Sequence, residues 1–441
     1  MALLQINTLE LTNFKCFSRL TESFKPGVNL LVGVNGSGKS ALLEGLVSSL
    51  GCFFIDLESD NKREIKTEYL RITTTGETDN CKIKASGQLN GVEKSWERNL
   101  PASSKNNDSK FAKSIRNFAK DLYEGINDPS SSKQIPLIAY YSTQRLFKDR
   151  NTKTFNSSKG RKNGHYLCLD DYSIRNYLTS WFDIKDRARF NHERVEAHTP
   201  PDNFHLETVE KFLADLISYF FEVDVEQIKL VYDSEGKELD LQIGSGEILP
   251  MSSYSDGMRN LIWLYFDLVW RSVYLKPPVG EWTLESTEGV VLIDEIDLHL
   301  HPRWQTKAIP FLQKTFPKVQ FFISTHSPIV VANFRNGHLY KITTAGIEVE
   351  PPPYYGKKVS SIIRNIFGGV ERAPEVQNKL DQLFRLIEEM GQSQSLAHNQ
   401  NEIETLMTEI IGILGEDDPD IFDANSLISW YKSSDYRDAV H

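Results

Sequence analysis

The rhythm of apolar and polar positions changes several times along the chain. Residues 6–11 read as a strand, and residues 28–32 (VNLLV) form a second one that flows into a glycine-rich loop and a helix over 40–50. Short β-like runs follow at 69–74 and 81–85, separated by Gly, Asp and Asn turns. Residues 101–134 are polar and basic, with a helix predicted over 111–122. Residues 136–142 (PLIAYYS) have the continuous apolar pattern of a fully buried strand. The pattern is helical over 173–221, interrupted around Thr199, Pro200 and Pro201, and 228–243 reads as a hairpin around Ser234-Glu235-Gly236. An apolar helix is predicted over 256–274, with Ser255 as its N-cap. Two more buried strands, 290–294 and 319–325, alternate with helices. Beyond Pro351-Pro352-Pro353 come three helical stretches, with a Gln/Ser-rich linker near 391–400. The sequence has no internal repeat. Buried strands alternating with helices predict an α/β protein with a parallel sheet.

The 441 residues leave room for two or three domains with a large core. An apolar fraction of 40% and a charged fraction of 25% exclude disordered and collagen-like chains. The four cysteines (Cys16, Cys52, Cys81, Cys168) form no CxxC pair, which disfavours a zinc site or disulfide framework and points to a reducing, cytoplasmic setting. The N-terminus does not have the pattern of a signal peptide. The most apolar stretch, 261–270, is half a bilayer span and contains Asp267, so no membrane partner is expected.

The formal net charge of −10 speaks at first against nucleic acid as a partner. Residues 371–441 hold 15 acidic and five basic residues, which is the whole excess, and the remainder of the chain is neutral. Within that neutral part, 145–165 carries Arg145, Lys148, Arg150, Lys153, Lys159, Arg161 and Lys162 against Asp149. The stretch reads as an exposed basic loop, either simply solvated or in contact with a phosphate backbone.

Gly33-Val34-Asn35-Gly36-Ser37-Gly38-Lys39-Ser40 fits GxxxxGK[ST] between an apolar strand and a helix. Glycines there let backbone N–H groups turn inward around phosphate oxygens at a helix N-terminus. Lys39 is placed to reach the β- and γ-phosphates, and Ser40 to ligate Mg²⁺. The strand 290–293 ends in Asp294 and Glu295. Asp294, next to the phosphate loop in a parallel sheet, suits the Mg²⁺ shell, and Glu295 can orient or deprotonate an attacking water. A third buried strand ends in Ser324-Thr325-His326, where a neutral imidazole can report the γ-phosphate. Tyr254-Ser255-Asp256-Gly257 offers a second helix start, either a plain N-cap or a cap for the γ-phosphate bound to another subunit.

These elements in this order resemble the ATP-binding-cassette (ABC) ATPase heads of the SMC/RecF class. The opening LELTNFKCF…FKPGVNLLVGVNGSGKSALLEGL carries that resemblance, and the stretch between phosphate loop and signature is too short for coiled-coil arms. IDEIDLHLHPRWQ and QFFISTHSPIVV are similar to stand-alone bacterial ATPases related to the overcoming-lysogenization-defect proteins. PLIAYYSTQR, Trp181-Phe182 and the tail VERAPEVQNKLDQLFRLIEE…ILGEDDPDI resemble the ATPase subunit of Septu-type anti-phage defence systems (PtuA-like), also found beside some retrons.

The resemblance implies a P-loop NTPase core with an N-terminal antiparallel β subdomain, a helical insertion and a C-terminal helical region. The expected divisions are 1–160 and 228–350 for the two halves of the head, 161–227 for the insertion, and 351–441 for an acidic region serving assembly or partner docking. It further implies ATP and Mg²⁺ as cofactors. Gly33, Asn35, Gly36, Ser37, Gly38, Lys39 and Ser40 form the phosphate loop, with Lys15 a further phosphate contact. Ser40, Gln144 and Asp294 belong to the metal site, Glu295 is the base and His326 the switch. Ser255 and Gly257 act in trans within a homodimer of nucleotide-sandwiched heads, or a higher oligomer. Tyr254 and Asp256 depart from the usual Leu and Gly, and His301 stands where many heads have Asp. No convincing nuclease constellation is apparent in the chain, so a destructive step would belong to a separate protein; the Septu resemblance implies an HNH-type nuclease and DNA as its target. A nucleotide-gated scaffold with little hydrolysis and a RecF-like DNA-repair ATPase are the alternatives.

Overall fold

A computed structural model of the chain describes residues 2–71, 80–102, 106–146, 154–195, 204–233, 238–343, 346–350, 354–369, 372–392 and 399–432. The expected run over 72–74, Lys148, Arg150, Lys153, the helix interruption at 199–201, the turn at 234–236 and the prolines at 351–353 lie outside them. The first two strands, β1 (Leu4–Phe14) and β2 (Phe17–Ser23), form an antiparallel hairpin, and β3 (Val28–Val32) follows. Helix α1 (Lys39–Leu50) comes next, then β4 (Cys81–Leu89) and β5 (Val92–Leu100), which return to give a sheet of order β2-β1-β4-β5. Burial alternates strictly along β4, the mark of a sheet with one face on the core. The sequence pattern misses β5 because its first four residues, Val-Glu-Lys-Ser, are all exposed and only Trp96, Arg98 and Leu100 turn inward. Tyr69 ends a short 3₁₀ turn rather than starting a strand.

Helix α2 (Lys113–Tyr123) leads to β6 (Leu137–Tyr141). Two helices, α3 (Arg175–Val195) and α4 (Phe204–Phe221), precede a small antiparallel sheet of β7 (Ile228–Asp233), β8 (Glu238–Ile243) and β9 (Leu249–Pro250). Helix α5 (Asp256–Leu275) is followed by β10 (Gly289–Ile293), α6 (Pro302–Thr315), β11 (Val319–Thr325) and the short α7 (Pro328–Ala332). β12 (Gly337–Thr343) and β13 (Gly346–Glu350) complete a six-stranded sheet of order β13-β12-β3-β11-β10-β6. Only β13, at its edge, pairs antiparallel. Strands β3, β6, β10 and β11 are buried at every position, as continuous apolar runs in a two-faced parallel sheet should be. Helix α1 packs against strands of both larger sheets, so ten of its twelve residues are buried.

One neighbour relation differs from the sequence expectation. β10, which carries Asp294, does not pair with the phosphate-loop strand β3, because β11 lies between them. The register pairs Val32 with Thr325, and Ile293 with both Ile323 and Tyr141. The chain segments leaving these strands therefore emerge together at one edge of the sheet, where parallel α/β folds place their ligands.

By contact the chain divides into two compact units, Met1–Lys357 and Lys358–His441. The second holds α8 (Val359–Phe367), α9 (Pro374–Gln392), α10 (Gln400–Leu414) and α11 (Pro419–Lys432). That is one helix more than the sequence pattern suggests, since Gly368 in the left-handed region ends α8 before α9 begins. Leu383, Ile387, Met390, Ile403, Ile410 and Ile421 build a core shared by α9, α10 and α11. No helix among the described residues is long and apolar enough to cross a membrane.

Candidate nucleotide-binding site

Immediately after β3 the chain turns sharply on its glycines. Gly38 has φ 106°, and a Cβ at this position would run into the ring of Phe17 and Sγ of Cys16. Only glycine can take both the conformation and the close approach. Gly38 is the N-cap position of α1, so the first N–H groups of that helix open onto the loop. Lys39 is only 5% exposed, and its Nζ donates to the carbonyls of Gly33 and Val34, both at 3.0 Å. Burial pushes its pKa down to about 8, against the pull of Asp294, Glu295 and Asp297. Ser37 Oγ is buried with no hydrogen-bond partner. A desolvated ammonium held by carbonyls and an orphaned hydroxyl in one loop are the marks of a site made for an anion. Gly33 is buried, whereas Asn35, Gly36 and Ser40 are exposed.

Across the same sheet edge, Asp294 is buried, and its Oδ1 accepts from Ser324 Oγ at 2.5 Å. Glu295 adopts φ 49°, unusual for a residue with a side chain, and its N–H donates to the same Ser324 Oγ at 2.8 Å. The hydroxyl of Ser324 on β11 therefore orients both acids. Desolvation raises the Glu295 pKa, reinforced by Asp294 and Asp297 and opposed by Lys39 and Arg145. A carboxylate so placed is a better proton acceptor than an exposed one. At the end of β11, partial burial and the charge of Lys39 lower the pKa of His326, against Asp297 and Asp294, which favours the neutral imidazole. The loop lysine, the acid pair and the histidine thus form one electrostatically coupled group.

Arg145 completes this edge, although the sequence reading places it in an exposed basic loop. It is 6% exposed. Its Nη1 donates to the carbonyls of Ser142 and Asp294 at 2.7 and 2.8 Å, Nη2 to that of Glu295 at 3.1 Å, and Nε to Asn260 Oδ1 at 3.1 Å. The only sequence signal for it is its position just after a buried strand. Gln144, one residue earlier, is exposed in the 3₁₀ turn Thr143–Leu146 that follows β6, with its N–H donating to Ser142 Oγ. Lys15 is ion-paired with Glu44 of α1 and lies 4.5 Å over the Tyr69 ring. Ser255 is the N-cap of α5, accepting from the Met258 N–H at 3.4 Å, and is itself exposed. Gly257 is packed so closely on the His299 carbonyl that a Cβ would overlap it. His301 caps α6 through Nδ1, which accepts from the Arg303 N–H.

The rest of the expected basic loop also needs correction. Arg161 is buried, and its guanidinium donates to the carbonyls of Ile126, Lys133 and Leu275. His165 is buried too, whereas Lys159 and Lys162 remain exposed. Arg161 and His165 stitch the fold together, because an arginine fork can satisfy several carbonyls where a polar sequence suggests only solvent.

Comparison with known proteins places this arrangement. The chain is 27% identical over 416 residues to the "Retron Vc95 probable ATPase" of Vibrio cholerae serotype O1 biovar El Tor, spanning 83% of this chain and 77% of that protein. It is 26% identical to the Septu protein PtuA of Bacillus thuringiensis, spanning 75% of this chain and 73% of PtuA. A solved Smc head bound to the C-winged helix domain of ScpA covers 79% of this chain and 97% of its own, with a TM-score of 0.49 and 14% identity. Residues 28–332, running from β3 past His326, match the family described as "AAA domain, putative AbiEii toxin, Type IV TA system", and the chain belongs to that family.

Proposed function

We propose that this chain is a Mg²⁺-dependent ATPase whose heads pair around nucleotide, and that it serves as the ATPase subunit of an anti-phage defence complex. The observation that carries the reading is the convergence of Lys39, Asp294, Glu295 and His326 at one edge of a parallel sheet. Lys39 holds the β- and γ-phosphates of ATP, with the α1 N-terminus and Ser37 beside it. The Ser40 hydroxyl, the Asp294 carboxylate and the Gln144 amide oxygen are hard oxygen donors of the kind Mg²⁺ takes. The bound ion supplies charge neutralisation at the phosphates. Glu295 orients the attacking water and accepts its proton. His326, neutral at pH 7, donates to or accepts from the γ-phosphate environment and so registers its loss. Ser255 and Gly257 cap the γ-phosphate held by a second copy, and Lys15 adds a further phosphate contact.

The similarity to Septu PtuA and to retron ATPases supports the defence role. In this reading the destructive step belongs to a separate HNH-type nuclease acting on DNA, and the complex is cytoplasmic. We assign 1–160 and 228–350 to the two halves of the head, 161–227 to an insertion and 351–441 to assembly or partner docking, with the contact boundary at Lys357–Lys358 falling close to the last division. The rival reading, a RecF-like clamp, has lost one of its proposed DNA contacts because the guanidinium of Arg161 is engaged internally.

Single-turnover hydrolysis by the purified chain tests the ATPase. Glu295→Gln should bind ATP with near wild-type affinity and hydrolyse it at least about 10²-fold more slowly. Lys39→Ala should fail to bind. Equal, near-zero rates for wild type and Glu295→Gln would favour a nucleotide-gated scaffold instead. A co-expressed HNH-type protein from the same locus should co-elute on size exclusion, and clean separation would count against the complex.

A further inference from the structure

Arg145 touches three elements that carry different parts of the site. Its carbonyl partners Ser142, Asp294 and Glu295 lie on the turn after β6 and at the end of β10. Its Nε partner, Asn260, lies one turn into α5, the helix that Ser255 starts. Asn260 in turn donates from Nδ2 to the Leu298 carbonyl at 3.2 Å, while the Leu298 N–H donates to the Glu295 carbonyl at 3.1 Å. A closed circuit therefore runs from Arg145 to Glu295, Leu298, Asn260 and back. Within it, Glu295 and His299 both hold left-handed conformations that residues with side chains seldom adopt, at φ 49° and 60°. Gly257, in the first turn of α5, is pressed against the His299 carbonyl in the same loop. The Glu295 backbone and the start of α5 therefore cannot move independently.

We propose that Arg145, through Asn260, is the positioning residue that sets the base Glu295 and the signature end of α5 together, so that the two composite sites of a head dimer communicate. The proposal rests on the ATPase reading above. In such a dimer, Glu295 of one chain serves the nucleotide held by its own phosphate loop, whereas Ser255 of that chain serves the nucleotide of its partner. Engagement of Ser255 at one site then reaches Glu295 at the other through a circuit inside one chain. Lysine cannot replace Arg145, because a single ammonium does not offer a planar fork that reaches three carbonyls and an amide oxygen at once.

The test is steady-state ATP turnover as a function of ATP concentration, with nucleotide affinity measured separately. The wild type should show a sigmoidal response. Asn260→Ala, which leaves the guanidinium in place, should lose the sigmoidal shape while keeping kcat within about threefold. Arg145→Lys and Arg145→Ala should lower kcat by about 10²-fold, with ATP affinity changed less than about threefold. Affinity and the melting temperature of Asn260→Ala separate mispositioning from unfolding. A hyperbolic wild-type response, an unchanged sigmoid in Asn260→Ala, or parallel loss of affinity and kcat in Arg145→Lys would overturn the proposal. Absence of any turnover by the wild type would instead overturn the ATPase reading on which it rests.

Discussion

His165 is bonded on both sides. Its Nε2 lies 2.9 Å from the Pro136 carbonyl, which can only accept, and Nδ1 lies 2.7 Å from the Tyr123 hydroxyl. The pair of partners selects the neutral tautomer with the proton on Nε2, leaving Nδ1 to accept from tyrosine. Burial pushes its pKa down from 6.5 to about 3, the bond to Pro136 opposing this and Arg271 and Arg161 adding to it. Because the folded value lies below the unfolded one, the contribution is complete above pH 6.5 and drains away as pH falls towards 3. At pH 5.5 the loss should be about 1 kcal/mol. Denaturant titrations at pH 7.5 and 5.5 should show it in the wild type but not in His165→Gln, and an equal difference in both would refute the assignment. Arg145, Arg161 and His165 are residues whose roles sequence cannot reveal. Their stretch lacks apolar periodicity, and their partners, backbone carbonyls together with Tyr123 and Asn260, lie far away in sequence or leave no compositional trace. Lys39, Asp294 and Glu295 are legible because their chemistry is tied to short-range spacing.

At the scale of elements, legibility follows burial. β3, β6 and β10 are apolar at nearly every position and stand out, as do the Phe-Phe-Ile centre of β11 and α5 with its serine cap. β5, β12 and β13 do not, because each keeps polar or charged residues on a partly solvated face. What no local pattern discloses is strand order, in which β11 separates the phosphate loop from the acid pair and brings Ser324 between them. The start of α5 gives a prediction at this scale. In Gly257→Ala the methyl group would overlap the His299 carbonyl, so helix and loop must part. Overpacking of this kind costs about 1–3 kcal/mol. The expected variant melts lower, binds ATP through an intact Lys39 loop, and turns over about 10²-fold more slowly because both Ser255 and the Glu295 loop are displaced. ATP affinity falling in step with turnover would show that the damage had spread to the phosphate loop.

The whole molecule is divided in charge as well as in contact. Residues 371–441 hold the entire net charge of −10, while the preceding residues are balanced. All of that stretch lies in the unit Lys358–His441, whose three-helix core of Leu, Ile and Met side chains is its own. Among the described residues, ion pairs of Lys379 with Glu409 and of Arg372 with Asp418 and Asp420 oppose the repulsion there. Partly exposed pairs of this kind contribute about 0–1 kcal/mol each and weaken with salt. The diffuse repulsion weakens with salt too, as the screening length falls from about 30 Å at 0.01 M to about 10 Å at 0.1 M. Residues 358–441 hold the same 15 acids against seven bases, a net charge of −8, so repulsion should dominate the balance. A fragment of residues 358–441 should therefore fold as a helical unit, melt cooperatively, and gain stability across that salt range. A gain of about 1 kcal/mol corresponds to roughly 4–8 °C in Tm for a domain of this size. A Tm that falls with salt would mean that the ion pairs outweigh the net charge. A fragment that stays unfolded at both concentrations would mean that its core needs the rest of the chain.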